Sequence, residues 1–147
     1  MVYIALKESK QKQIKKLNKI KNIMQNNFIN SYLNFKLNLL SKKRIINSFL
    51  DGNKKFYVVG AAPLLPLINY HMDNIVNKAY AILDDDKEKI GKYFPGIKPQ
   101  IKSLEKTDLT NSVCLVGPVF SALTVRKIVA ILTEKKAEFI LTPTLTF

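Results

Sequence analysis

The sequence predicts an α/β protein: a small parallel sheet of about five strands with flanking helices, preceded by a helical extension. Three observations carry this reading. Apolar residues in the first third recur at spacings of three and four, the helical period. Beyond Gly52 the pattern becomes short apolar runs alternating with amphipathic segments, which implies crossover units and strands that run parallel. The positive charge is concentrated in the same first third: residues 1–55 hold 13 of the 24 Lys and Arg but only 2 of the 11 Asp and Glu. The boundary these changes mark divides the chain into a lysine-rich extension, 1–53, and a sheet domain, 54–147.

In chain order, Ile14, Leu17, Ile20, Met24 and Phe28 draw one apolar stripe down a first helix, with Lys12, Lys15, Lys16 and Lys19 mostly off it. A second helical stretch runs from about Ser31 to Leu50, and Asp51-Gly52 is its stop, on the expectation that the glycine takes the left-handed conformation. The strands expected are Lys55–Val59, Lys78–Leu83, Ser112–Val116 and Glu138–Leu141, with a weaker one at Gln100–Leu104. Between them lie helices at about Pro63–Met72 and Ser121–Lys135, the latter with a stripe of Leu123, Ile128, Ile131 and Leu132. Such a domain is Rossmann-like.

Composition removes several function classes. The most basic segment, residues 7–21, contains no aromatic side chain to stack on a base, which argues against specific nucleic-acid binding. No apolar run reaches transmembrane length and the N-terminus lacks a signal-peptide pattern, so a cytoplasmic protein is the expectation. A basic amphipathic helix can lie on an anionic membrane, but a stripe of this kind more commonly packs on its own domain or on another chain. Cys114 is the one cysteine; it excludes an intrachain disulfide and reads as a small buried hydrophobe within SVCLVG. His71, the one histidine, has no recognisable acid or nucleophile nearby in sequence and reads as a structural or surface residue at a helix end.

The candidate site lies where Rossmann-like sheets bind ligands, beyond the carboxyl ends of the strands. Gly60 follows the first strand, and the Gly60-Ala61-Ala62 turn offers backbone N–H groups to an anion at the start of the next helix, with Pro63 in its first turn. The dinucleotide fingerprint wants further glycines where Ala62 and Leu65 stand, which argues against NAD or FAD held in the usual way. Asp84, at the end of the second strand, has roughly the 20-residue spacing from the turn at which an acid commonly accepts hydrogen bonds from a ribose. Asp85 and Asp86 read as a solvated turn, and three successive carboxylates on an extended segment cannot surround one metal ion unaided.

GAAP…LINY, then LDDDKEKIGKYFPG, then a strand, a helix and the closing EFILTP resemble the C-terminal domain of sugar C-methyltransferases that use S-adenosylmethionine. That family carries a G-A-x-x-K-G-N-T-L-L-N-Y turn and a D-x-N-x-x-K-x-G-x-x-x-P-G loop on a Rossmann-like domain that helps hold a nucleotide-linked sugar. The resemblance covers roughly residues 28–147. Its most specific parts are Asn69-Tyr70 and the series Lys89, Gly91, Lys92, Pro95, Gly96. It implies a nucleoside diphosphate sugar as ligand, with Gly60, Ala61, Ala62, Asp84 and Lys92 as the residues in contact with it.

Two departures qualify what carries over. Leu64, Leu65 and Pro66 replace the family's Lys-Gly pair, and about 50 residues of lysine-rich helix stand where the family has its zinc-binding and cofactor-binding domains. No catalytic residue, metal site or cofactor is therefore expected in this chain; S-adenosylmethionine would belong to the absent domains. The first expectation is a nucleotide-sugar-binding domain, either a fragment or a subunit working with a separate catalytic chain or a second copy through its N-terminal helix. The second is an interaction module that keeps the frame and has lost the ligand site.

Overall fold

The computed structural model describes residues 2–117 and 121–142, with side chains from Lys15 onward except Ile20. One helix, α1 (Val2–Asp51), occupies the first third. The two helical stretches read from the sequence are thus continuous, because Ile29 and Asn30 between them include no glycine or proline to interrupt the hydrogen-bond ladder. α1 ends where expected, but the left-handed residue is Asn53 (φ 57°), not Gly52. The N–H groups of Gly52, Asn53 and Lys54 close the end on the Phe49 and Leu50 carbonyls, and asparagine is one of the few side chains that tolerates this conformation.

The chain divides into two compact units, one holding α1 as far as Phe35 and the other starting at Lys36. In the first, Leu17, Met24 and Phe28 of the expected stripe are 64%, 67% and 74% exposed. Ile14 and Ile20, the other members of that stripe, lie outside the residues whose side chains are described.

The second unit is a five-stranded, all-parallel sheet in the order β3-β2-β1-β4-β5. Its strands are β1 (Lys55–Val59), β2 (Ala81–Asp84), β3 (Ile101–Ser103), β4 (Ser112–Val116) and β5 (Phe139–Leu141), connected through α2 (Leu65–His71) and α3 (Ala122–Glu134). The Rossmann-like expectation holds. β2 starts three residues later than expected because Ile75–Lys78 turns as a 3-10 helix. Buried Asn69 holds that turn: its Oδ1 accepts from Val76 N–H at 3.0 Å and its Nδ2 donates to Asn74 Oδ1 at 3.1 Å.

Register fixes which side chains share a face. Tyr57 pairs with Ala81 and Cys114, and Val59 with Leu83 and Val116. These residues form one buried cluster with Leu104, Leu109 and Leu132, against which Ile128, Ala137 and Ile140 pack. Alternation turns Phe56, Val58, Ile82 and Val113 to the other face. The last turns of α1 reach that face, since the Phe49 ring lies 4.2 Å from that of Phe139, the register partner of Val113. Leu39 and Ile46 of α1 are fully buried, each contributing about 1.5–3 kcal/mol by leaving water. Lys43 and Lys54 pair with Asp73 and Glu138, which tie the end of α1 to the turn after α2 and to the start of β5.

α3 begins on Ser121, whose Oγ accepts from Thr124 N–H at 3.4 Å. Its stripe is narrower than expected: Leu132 is buried and Ile128 packs on the core, whereas Leu123 is exposed and Ile131 partly so. At about 100° per residue, nine positions set Leu123 half a turn away from Leu132. Cys114 sits in the core as expected, and burial pushes its thiol up to about 11, which keeps it protonated and inert at neutral pH.

Candidate functional site

The strand order reverses between β1 and β4, so the chain leaves the sheet in opposite directions after Val59 and Val116 and opens the switch point. Two glycines line it. Gly60 takes φ +97°, a region open to it because it has no Cβ, and its N–H donates to Leu83 O at 2.7 Å. Gly117 donates to Val59 O at 2.6 Å and lies so close that a Cβ there would meet Gly60 O at 2.8 Å. The ends of β1, β2 and β4 are thereby laced together at the mouth of the crevice.

Asp84 closes the lacing. Its side chain is only 14% exposed. Oδ2 accepts from Ala61 N–H at 2.7 Å, and Oδ1 accepts from Asp86 N–H at 2.9 Å. Lys89 Nζ stands 3.4 Å from Oδ2 and 3.5 Å from Asp86 Oδ2. Sequence reasoning placed Asp84 and the Gly60-Ala61-Ala62 turn at one site, and the structure brings them into direct contact. It also gives the turn an anion already, in the form of the Asp84 carboxylate.

The helix after the turn offers less to a phosphate than expected. α2 spans seven residues and starts at Leu65, so Pro66 rather than Pro63 stands in its first turn, and its N-cap Leu64 makes no side-chain capping bond. From Ala61 to Leu67, Pro63 and Pro66 have no N–H, Ala61 N–H is held by Asp84, and Leu65 N–H donates to Ala62 O. A phosphate on this turn would have to displace Asp84 and tolerate its charge.

Lys92 is exposed, and its contribution near the site is its backbone: its carbonyl accepts from Ile101 N–H at 2.9 Å. Lys89, three residues earlier, is the lysine that reaches Asp84. The FPG loop positions it. Gly91 N–H donates to Ile101 O, Gln100 Nε2 donates to Gly91 O at 2.9 Å, and Tyr93 bridges Gln100, which folds residues 91–101 back on themselves. The sequence signal for Lys89 was its place in the same K-x-G-x-x-x-P-G series as Lys92. Asn69 holds the turn after α2, while Tyr70 is exposed with its ring 5.2 Å from that of His71.

A separate cleft of about 440 Å³ begins one residue beyond Asp84, lined by Asp85, Lys87 and Ile90 from the loop after β2 and by Ser103 at the end of β3 with the three residues that follow it. Ile131 and Lys135 of α3 and its C-terminal end form the far wall. Sequence reasoning missed it, because its residues come from three segments that only the fold brings together. Among the described residues no cluster of His, Cys, Asp or Glu could hold a metal ion, and no helix is long and apolar enough to cross a membrane.

Fold and site define a Rossmann-like α/β domain with an acidic residue at the end of its second strand, facing a glycine turn at the switch point. Compared with family models, curated proteins and solved structures, the chain finds no match.

Proposed function

We propose that this chain is a nucleotide-sugar-binding domain that acts with a separate catalytic chain, as its resemblance to the C-terminal domain of sugar C-methyltransferases implies. The observation that carries the reading is the largely buried Asp84 carboxylate at the switch point, fixed by two backbone N–H groups and Lys89. An ionised carboxylate only accepts hydrogen bonds, so it suits the hydroxyls of a ribose or a sugar and opposes a phosphate. The retained FPG loop supports the same reading, since its folding holds Lys89 against that carboxylate. The exposed stripe of Leu17, Met24 and Phe28 offers a surface for the catalytic chain or for a second copy.

Thermal melting with a panel of uridine and thymidine diphosphate sugars at millimolar concentration tests this. Ligand bound only by the folded state raises Tm, and Asp84→Asn, which keeps a side-chain oxygen for Ala61 N–H but loses the charge, should abolish the rise. One observation favours the second reading, a non-catalytic interaction module: Ala61 N–H is already satisfied by the protein's own carboxylate. Absence of any shift across the panel would decide for that module.

A further inference from the structure

The nucleotide-sugar reading leaves the phosphates without a seat, because the glycine turn is taken by Asp84 and followed by a helix that is short and contains proline. We infer that they are held in the neighbouring cleft, by Lys87 and Lys106 with Lys135 behind them; this rests on the nucleotide-sugar reading. The cleft adjoins the sugar-binding acid on two strands: Asp85 follows Asp84 on β2, and Ser103 is the register partner of Asp84 on β3. The three lysines arrive from the loop after β2, the turn after β3 and the C-terminal end of α3, so no single surface helix accounts for their convergence.

Their states differ in a way that suits an anion. Lys135 Nζ donates to Glu105 O at 2.7 Å and Thr107 O at 3.1 Å, which fixes the ammonium at the wall and leaves its third proton undirected. Lys87 and Lys106 are exposed, and among the described residues their side-chain ammonium groups make no hydrogen bond or ion pair; the one bond of Lys106 is from its backbone N–H to Ser103 Oγ at 3.3 Å. Their side chains are free to close on a ligand. Asp85 and Glu105 also line the cleft and lower its net charge to a single positive unit, which favours a compact, doubly charged diphosphate that contacts the ammonium groups directly over loose attraction to any polyanion. Buried Leu104, with Ile90 and Ile131, supplies an apolar surface beside the lysines on which a flat base can lie. The ligand class is a nucleoside diphosphate, with its phosphates on the lysines and its base on that surface.

Calorimetric titration of the full chain with uridine diphosphate and, separately, with inorganic pyrophosphate reads the inference. Lys87→Gln/Lys106→Gln should weaken both by about tenfold or more, the loss expected when charge-assisted hydrogen bonds are removed. Lys15→Gln/Lys16→Gln, on an exposed part of α1, should leave both unchanged. Ile131→Ser should weaken uridine diphosphate and spare pyrophosphate. Equal losses from the two lysine pairs would mean diffuse attraction to a basic protein and would overturn the inference, as would no binding of either probe. If nucleotide sugars bind through Asp84 while the Lys87/Lys106 variant binds as well as the native chain, the cleft is wrong and the function stands. If pyrophosphate binds in the cleft but no nucleotide sugar is recognised, the function is wrong and the anion site stands.

Discussion

The two parts of α1 carry similar apolar spacing and have opposite fates. Before Phe35, Leu17, Met24 and Phe28 face solvent; after Lys36, Leu39 and Ile46 are completely buried in the unit that contains the sheet. Both parts are helical, so helical spacing specifies the helix and an apolar face without specifying what covers it. The difference comes from the residues that follow. The second part ends one tight turn before β1, and that proximity brings it onto the face that presents Phe56, Val58, Val113 and Phe139.

The sharpest way to break this comparison is to truncate one side chain in each part. Ile46→Ala should cost about 2–5 kcal/mol in denaturant unfolding, whereas Leu17→Ala should stay within about 0.5 kcal/mol for the isolated chain at low concentration. A large cost at Leu17 would show that the first part is covered in solution, and a concentration-dependent Tm would identify the cover as a second copy.

Next in size is Asp84→Ala, which removes the acceptor shared by Ala61 N–H and Asp86 N–H and leaves Lys89 paired to Asp86 alone. A loss of about 2–3 kcal/mol in urea unfolding is expected. A near-neutral result would mean that the crevice opens readily and that Asp84 is held for a ligand more than for the fold.

Gly117→Ala should cost about 1–3 kcal/mol, because its Cβ would press on Gly60 O, which is backbone and can yield only by moving the β1 turn. Amide exchange would sharpen the result by showing faster exchange at Gly60 and Ala61 than in the centre of the sheet.

The smallest effect is expected at Lys42, buried on the covered part of α1 with its Nζ donating to Asn38 Oδ1. Burial lowers its pKa below the ordinary lysine value of 10.5, so the native state holds this proton less tightly than the unfolded chain. The resulting cost is fully present at neutral pH and is relieved as pH rises from the lowered value toward 10.5. Lys42→Met should therefore raise stability by about 1 kcal/mol at pH 7, with the gain shrinking in melts at alkaline pH. A loss at pH 7 would mean that the contact with Asn38 outweighs desolvation.

The sequence by itself determined the alternation of strands and helices, the spans of β1 and β4, the end of α1 and the placing of the Gly60 turn and Asp84 at one end of the sheet. These follow from local chemistry: β-branched and aromatic runs, a turn signal at Asp51-Gly52, and the spacing of an acid from a glycine. Tertiary structure alone decided which parts of similar periodicity are covered, as with Leu39 and Ile46 against Leu17 and Met24. It alone decided that Ala61 N–H is bonded by Asp84, that Lys89 rather than Lys92 reaches that carboxylate, and that Lys87, Lys106 and Lys135 surround one cleft. Periodicity records how a segment turns about its own axis, whereas these contacts depend on where distant segments meet, and that is set by strand order and register rather than by any stretch of residues read alone.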